Sequence, residues 1–78
     1  MKDLEKIKEK RHKFKQVDNP KHGDIILINL MGRPIHIGVA LDNKTMIHTI
    51  KSSGVVIEDF SGVKWNKRIE GFYRAIQN

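Results

Sequence analysis

The sequence predicts an α+β domain: one N-terminal helix followed by a five-stranded antiparallel sheet or half-barrel. Three observations predict it. Residues 1–16 are rich in Lys and Glu and hold no Gly or Pro. Beyond residue 23 the chain becomes a series of short β-branched or aromatic runs. The connections between those runs are too short for parallel crossovers, so neighbours must pair antiparallel. At 78 residues and 38% hydrophobic, the chain is read as a single domain over 1–78. It divides into a basic helix at 1–16, a loop at 17–23 and the sheet at 24–76. A chain of this size buries only about 60% of the surface that its unfolded form exposes. Its stability is therefore expected to be a few kcal/mol.

Each element has its own signal. In the first, Leu4, Ile7, Arg11 and Phe14 recur at helical spacing, and Glu5 and Glu9 lie within a turn of Lys8 and Lys13. Such a helix needs its apolar stripe docked to persist in water. Asn19-Pro20 and Gly23 mark the loop. The strands are then Asp24 to Leu30, Ile35 to Leu41, Thr45 to Ile50, Val55 to Phe60 and Ile69 to Ala75. Turn chemistry separates them at Met31-Gly32-Arg33-Pro34, Asp42-Asn43-Lys44, Ser52-Ser53-Gly54 and Ser61-Gly62.

Composition excludes several functions. No Cys occurs, which removes disulfides, thiolate metal sites and a thiol nucleophile from these residues. The longest apolar run, Ile25 to Ile28, is far short of the roughly 20 residues a membrane helix needs. The N-terminus lacks the apolar core of a signal peptide, so a cytoplasmic location is the default expectation. Net charge is +6, from 15 Lys and Arg against 9 Asp and Glu. Eight of those cations fall in residues 1–22, and Lys8, Lys10, Arg11, Lys13 and Lys15 are the candidate partner-binding set. A basic arm of this kind fits an acidic protein surface, or less well a nucleic acid, because Glu5 and Glu9 interrupt the face.

Histidine carries the chemistry. Along Ile35 to Leu41, alternation sends His36, Gly38 and Ala40 to one face, leaving room beside the imidazole. If Asp42-Asn43-Lys44 is a three-residue hairpin loop, Leu41 opposes Thr45 and His36 opposes Ile50. His48 then shares the face of His36 as a diagonal neighbour, about 7–8 Å away between Cα atoms. A one-residue slip would separate them. One imidazole orienting another is the arrangement of a general base; two ordinary strand histidines are the plainer account. His12 and His22 are remote in sequence and no carboxylate completes a ligand set, so neither a metal nor any other cofactor is expected. Trp65, Phe60, Phe72 and Tyr73 read as core, and Lys64, Lys67 and Arg68 as a small solvated basic cluster.

Three stretches resemble the NlpC-type cysteine peptidases, which cut stem peptides of bacterial peptidoglycan. Pro20-Lys21-His22-Gly23-Asp24-Ile25-Ile26-Leu27 is similar to their "PGDLVFF" entry strand. His36-Ile37-Gly38-Val39-Ala40-Leu41 resembles "HVGIYL", and Lys44-Thr45-Met46-Ile47-His48-Thr49 resembles "GKMIHA". Gly54-Val55-Val56-Ile57-Glu58, Trp65 and Gly71-Phe72-Tyr73-Arg74 look like the end of that domain, in the branch found with phage tails. The resemblance covers residues 20–75 and implies the sheet half of a papain-like fold. It implies that His36 matches the catalytic histidine and His48 the third, orienting residue. The family's nucleophilic cysteine has no counterpart: none of the 35 residues before His36 is Cys, Ser or Thr.

The expectation that follows is a non-catalytic, degenerate peptidase-like domain serving as a protein-binding module, a phage-type inhibitor or tail component. A phage origin would place it in the virion or at the cell wall. The alternative is half of a split cell-wall endopeptidase, lending His36 and His48 to a Cys-bearing half-domain. Direct nucleic-acid binding comes third. Loss of the nucleophile half would also bare one sheet face, which favours homo-oligomers or a protein partner.

Overall fold

The computed structural model describes residues 13–30 and 32–76. Over them the chain forms six strands and one short helix. The strands are β1 (Phe14–Val17), β2 (Ile25–Leu30), β3 (Arg33–Ala40), β4 (Thr45–Ile50), β5 (Gly54–Asp59) and β6 (Ile69–Ala75). The helix α1 is Val63–Asn66, between β5 and β6. All six strands join one sheet in the order β1-β6-β2-β3-β4-β5, and every pairing is antiparallel.

This corrects the expected fold at two places. There are six strands rather than five, and the described helix lies near the C-terminus rather than at the start. Residues 1–12 of the expected N-terminal helix lie outside the described residues. Its last part does not: Phe14 to Gln16, together with Val17 of the expected loop, is extended and pairs with the edge of β6, Phe14 opposite Ala75 and Val17 opposite Phe72. Lys13 is tied to the same edge, its carbonyl accepting from the Ile76 amide at 2.9 Å. The reason is tertiary. Phe14 packs beside the buried Leu27 and Tyr73, and an open strand edge supplies backbone partners that a short helix would lack. Pairing over four residues outweighs the modest helix preference of a Lys-rich run.

Strand β2 runs through the middle, paired on its two edges with β6 and β3, and a cluster of side chains covers each of its faces. Ile26, Leu27 and Ile28 are all fully buried. Ile26 and Ile28 join Ala40, Met46, Phe60 and Trp65 on one side, with Leu30, Ile69 and Phe72 packed around them. Leu27 and Tyr73 form a smaller cluster on the other side, with Phe14, Ile25 and Ile37. A continuous apolar run in a central strand is the expected consequence of two covered faces. Strand β2 turns into β3 with Leu30 opposite Arg33, through Gly32 at φ 77°. The Arg33-Pro34 turn expected from sequence is thus already strand.

At the head of β2, Asp24 is buried and fully engaged. Its Oδ1 accepts from Arg74 Nε at 2.9 Å and its Oδ2 from Arg74 Nη2 at 2.7 Å. The Lys21 amide adds a further bond to Oδ2 at 2.7 Å. The Arg74 hydrogen bonds hold the Asp24 carboxyl below the usual carboxylate range, with burial opposing them. This clamp joins the entry loop, β2 and β6. Asp24→Asn keeps the shape but removes the charge facing Arg74, and urea denaturation is expected to show a loss of about 2–3 kcal/mol. Asp18→Asn, at an exposed position, should stay within about 0.5 kcal/mol of wild type.

Candidate active site

The site is built on the hairpins β3–β4 and β4–β5. In the first, Asp42 Oδ1 accepts three hydrogen bonds, from the amides of Lys44 (2.8 Å) and Thr45 (2.7 Å) and from Thr45 Oγ1 (2.9 Å). The Leu41 amide donates to the Thr45 carbonyl at 2.8 Å. Such an Asx turn sets register: Ala40 faces Met46 and Val39 faces Ile47. Continued along the strands, this register puts Gly38 opposite His48. A Cβ on Gly38 would come within 2.9 Å of Met46 Sδ and 3.7 Å of His48 Cβ. Glycine here leaves room for the Met46 sulfur, while His48 Cβ would stay at ordinary van der Waals distance.

The two histidines meet. His36 Nε2 and His48 Nδ1 are 2.8 Å apart, and the rings stand edge to face with centroids 5.0 Å apart. His48 is buried, whereas His36 is half-buried. The second hairpin adds a residue that the sequence reading did not select. His48 Nε2 lies 2.6 Å from Glu58 Oε2, and Lys64 Nζ lies 3.3 Å from Glu58 Oε1. Glu58 sits diagonally from His48 because His48 pairs with Val56 and Met46 with Glu58. The signal for it was present: the Ser52-Ser53-Gly54 turn and strict alternation place Val56 and Glu58 on the face of His48.

Trp65 closes the site from above, delivered by α1. Its ring is nearly parallel to that of His36 (16°, centroids 6.4 Å apart) and perpendicular to that of His48 (82°, 5.1 Å). The core role read from sequence is correct for Trp65, and it also walls the histidines. Lys64 Nζ lies 5.1 Å from the Trp65 ring centre and Arg68 Cζ 6.0 Å. Two members of the expected solvated basic cluster thus border this wall, and Lys64 also holds Glu58.

Charge settles which way the protons point. The His48 hydrogen bond, with help from Lys64 and against burial, holds the Glu58 carboxyl below its usual range. Ionised, Glu58 can only accept, so His48 donates through Nε2. With its Nε2 proton committed to Glu58, His48 can accept only through Nδ1, and His36 donates to it there through Nε2. The lone pair of His36 is left on Nδ1, to which no group among the described residues is hydrogen-bonded. Burial, and after it repulsion from the neighbouring His48 whenever that ring is charged, pushes the His36 pKa below its ordinary value of 6.5. His36 is therefore a neutral base at neutral pH.

The remaining candidates lie elsewhere. Lys8, Lys10, Arg11 and His12 are outside the described residues. Lys13 and Lys15 are exposed, and Lys15 is on strand β1 opposite Arg74 rather than on a helix. His22 is also exposed, 3.3 Å from the Leu41 carbonyl and away from the other histidines. His36, His48 and Glu58 bond in series rather than converging on a point. Among the described residues no group of three or more such side chains could hold a metal ion.

The model of the NlpC/P60 family matches residues 2–74. The chain belongs to the NlpC/P60 family. The matched span begins near the N-terminus, so it takes in the basic stretch ahead of the three recognised motifs. No curated protein matches the chain.

The lowered pKa of His36 makes stability depend on pH. Below 6.5 the unfolded chain takes up a proton at this position before the folded chain does, so acid favours unfolding. The contribution of His36 is fully present above pH 6.5 and declines as pH falls from there toward the folded value. Denaturation midpoints measured from pH 8 to pH 5 should fall below 6.5, and His36→Asn should reduce that slope.

Proposed function

We propose that this chain is the base-bearing part of a peptidase-type site, presenting His36 to a thiol carried outside these 78 residues. The observation that supports this reading is the unbroken line from Glu58 through His48 to His36, ending in an open Nδ1, in a sequence without cysteine. A histidine base without a nucleophile forms no acyl-enzyme, so the 78 residues alone cleave nothing. With a thiol opposite Nδ1, His36 takes the S–H proton and the sulfur attacks an amide carbonyl. The C–N bond breaks, and His36 returns the proton to the leaving nitrogen. Water then hydrolyses the thioester, with His36 again as base, restoring the thiol and releasing a carboxylic acid. The substrate class proposed from the family resemblance is the stem peptide of bacterial peptidoglycan.

The test mixes the chain with a Cys-bearing NlpC/P60 segment that lacks its own histidine strands and follows muropeptide cleavage by mass spectrometry. Cleavage is expected only from the mixture, and His36→Ala or His48→Ala should lower it by about 100-fold or more. A mixture that forms a complex yet stays inert would overturn the reading.

A second reading is a protein-binding module whose histidines no longer act, such as a phage-type inhibitor or tail component. Strand β5 supports it: it is an outer edge of the sheet, and Val55 and Ile57 on it are 65% and 63% exposed. On this reading His36→Ala leaves partner capture unchanged, while charge reversal at Lys8, Lys10 and Arg11 weakens it. Binding to nucleic acid would instead decline by decades over a fewfold rise in salt.

A further inference from the structure

We propose that Glu58 is the positioning residue of this site, fixing through His48 which nitrogen of His36 carries the proton. The inference rests on the base role of His36 only for its catalytic consequence, since the proton's position is a property of the isolated chain. A neutral imidazole has two tautomers, and only the Nε2–H form leaves Nδ1 free to act as a base. Among the described residues the one hydrogen-bond partner of the His36 ring is His48, itself able to donate or accept. The choice is made one residue further along, by a carboxylate that can only accept. Glu58 is bonded to His48 Nε2 at 2.6 Å, and its other oxygen is turned toward Lys64.

The surroundings leave Glu58 as the anion of the site. Among the described residues, the charged or titratable groups in contact with this cluster are His36 on β3, Glu58 on β5, and Lys64 and Arg68 in and just after α1. Lys64 is bonded to Glu58 and Arg68 lies 6.0 Å from the Trp65 ring centre, and as cations neither offers His48 an acceptor. When His36 gains a proton, the positive charge lies one ring from the Glu58 carboxylate, which stabilises it.

Glu58→Gln tests this, because the amide keeps the size and one acceptor oxygen but can also donate, so the direction is no longer forced. The readout is long-range proton–nitrogen NMR of the histidine rings in the free chain, which separates the tautomers. Wild type is expected to hold His36 and His48 as single Nε2–H forms at pH 7.5. In Glu58→Gln the Nε2–H to Nδ1–H ratio of His36 should fall by roughly tenfold, the scale of a lost charge-assisted hydrogen bond. The His36 titration midpoint should also move to lower pH. A purely structural role for Glu58 would leave both unchanged, and that result overturns the proposal. So does wild-type His36 found with its proton on Nδ1, a measurement that needs no variant. Neither outcome depends on whether a thiol partner restores cleavage.

Discussion

Asp42 Oδ1 gathers two backbone amides and one hydroxyl into the turn between β3 and β4, and the register it sets governs everything at the site. With Ala40 against Met46, the even-numbered residues of both strands share a face, and His36 and His48 come within hydrogen-bonding distance. The Ser52-Ser53-Gly54 turn repeats the operation, bringing Glu58 to the same face. A slip of one residue in either hairpin would turn one member of the line to the opposite side. Three polar side chains that are distant in sequence thus become one hydrogen-bonded series through two short turns.

The core lies beside that series, and Trp65 belongs to both. Ile26, Ile28, Met46 and Phe60 bury the floor, and Trp65 supplies a wall against both rings. Burial raises the stakes for His48, whose nitrogens would be costly to leave unpaired; both are satisfied, one by His36 and one by Glu58. His36 differs in being half-buried with one nitrogen open. The inner ring is thus satisfied at both nitrogens and the outer ring at one.

Much of the sheet was legible in the sequence because its signals are local. Thr45–Ile50 and Ile69–Ala75 coincide with the expected strands, and the others differ by a residue or two at their ends. The face shared by His36 and His48 followed from alternation and one loop length. What alternation did not reveal was β1. Phe14 to Gln16 reads as helix and Val17 as loop, yet all four become a strand because β6 presents an edge and Leu27 and Tyr73 present an apolar surface. Propensity is a weak prior once a sheet edge is available.

By itself, the sequence determined the family, the antiparallel texture, the two histidines and the absence of a thiol among these residues. These are matters of residue type and short spacing. Only the tertiary structure decided that Glu58 completes the line, that Lys64 holds it, and that Trp65 lies against both imidazoles. Those contacts join β5 and α1 to β3 and β4 across gaps that no local pattern spans. Their meaning depends on which oxygen meets which nitrogen. Proton direction belongs to the assembled series, because only a carboxylate placed at its far end can dictate the tautomer at the near one.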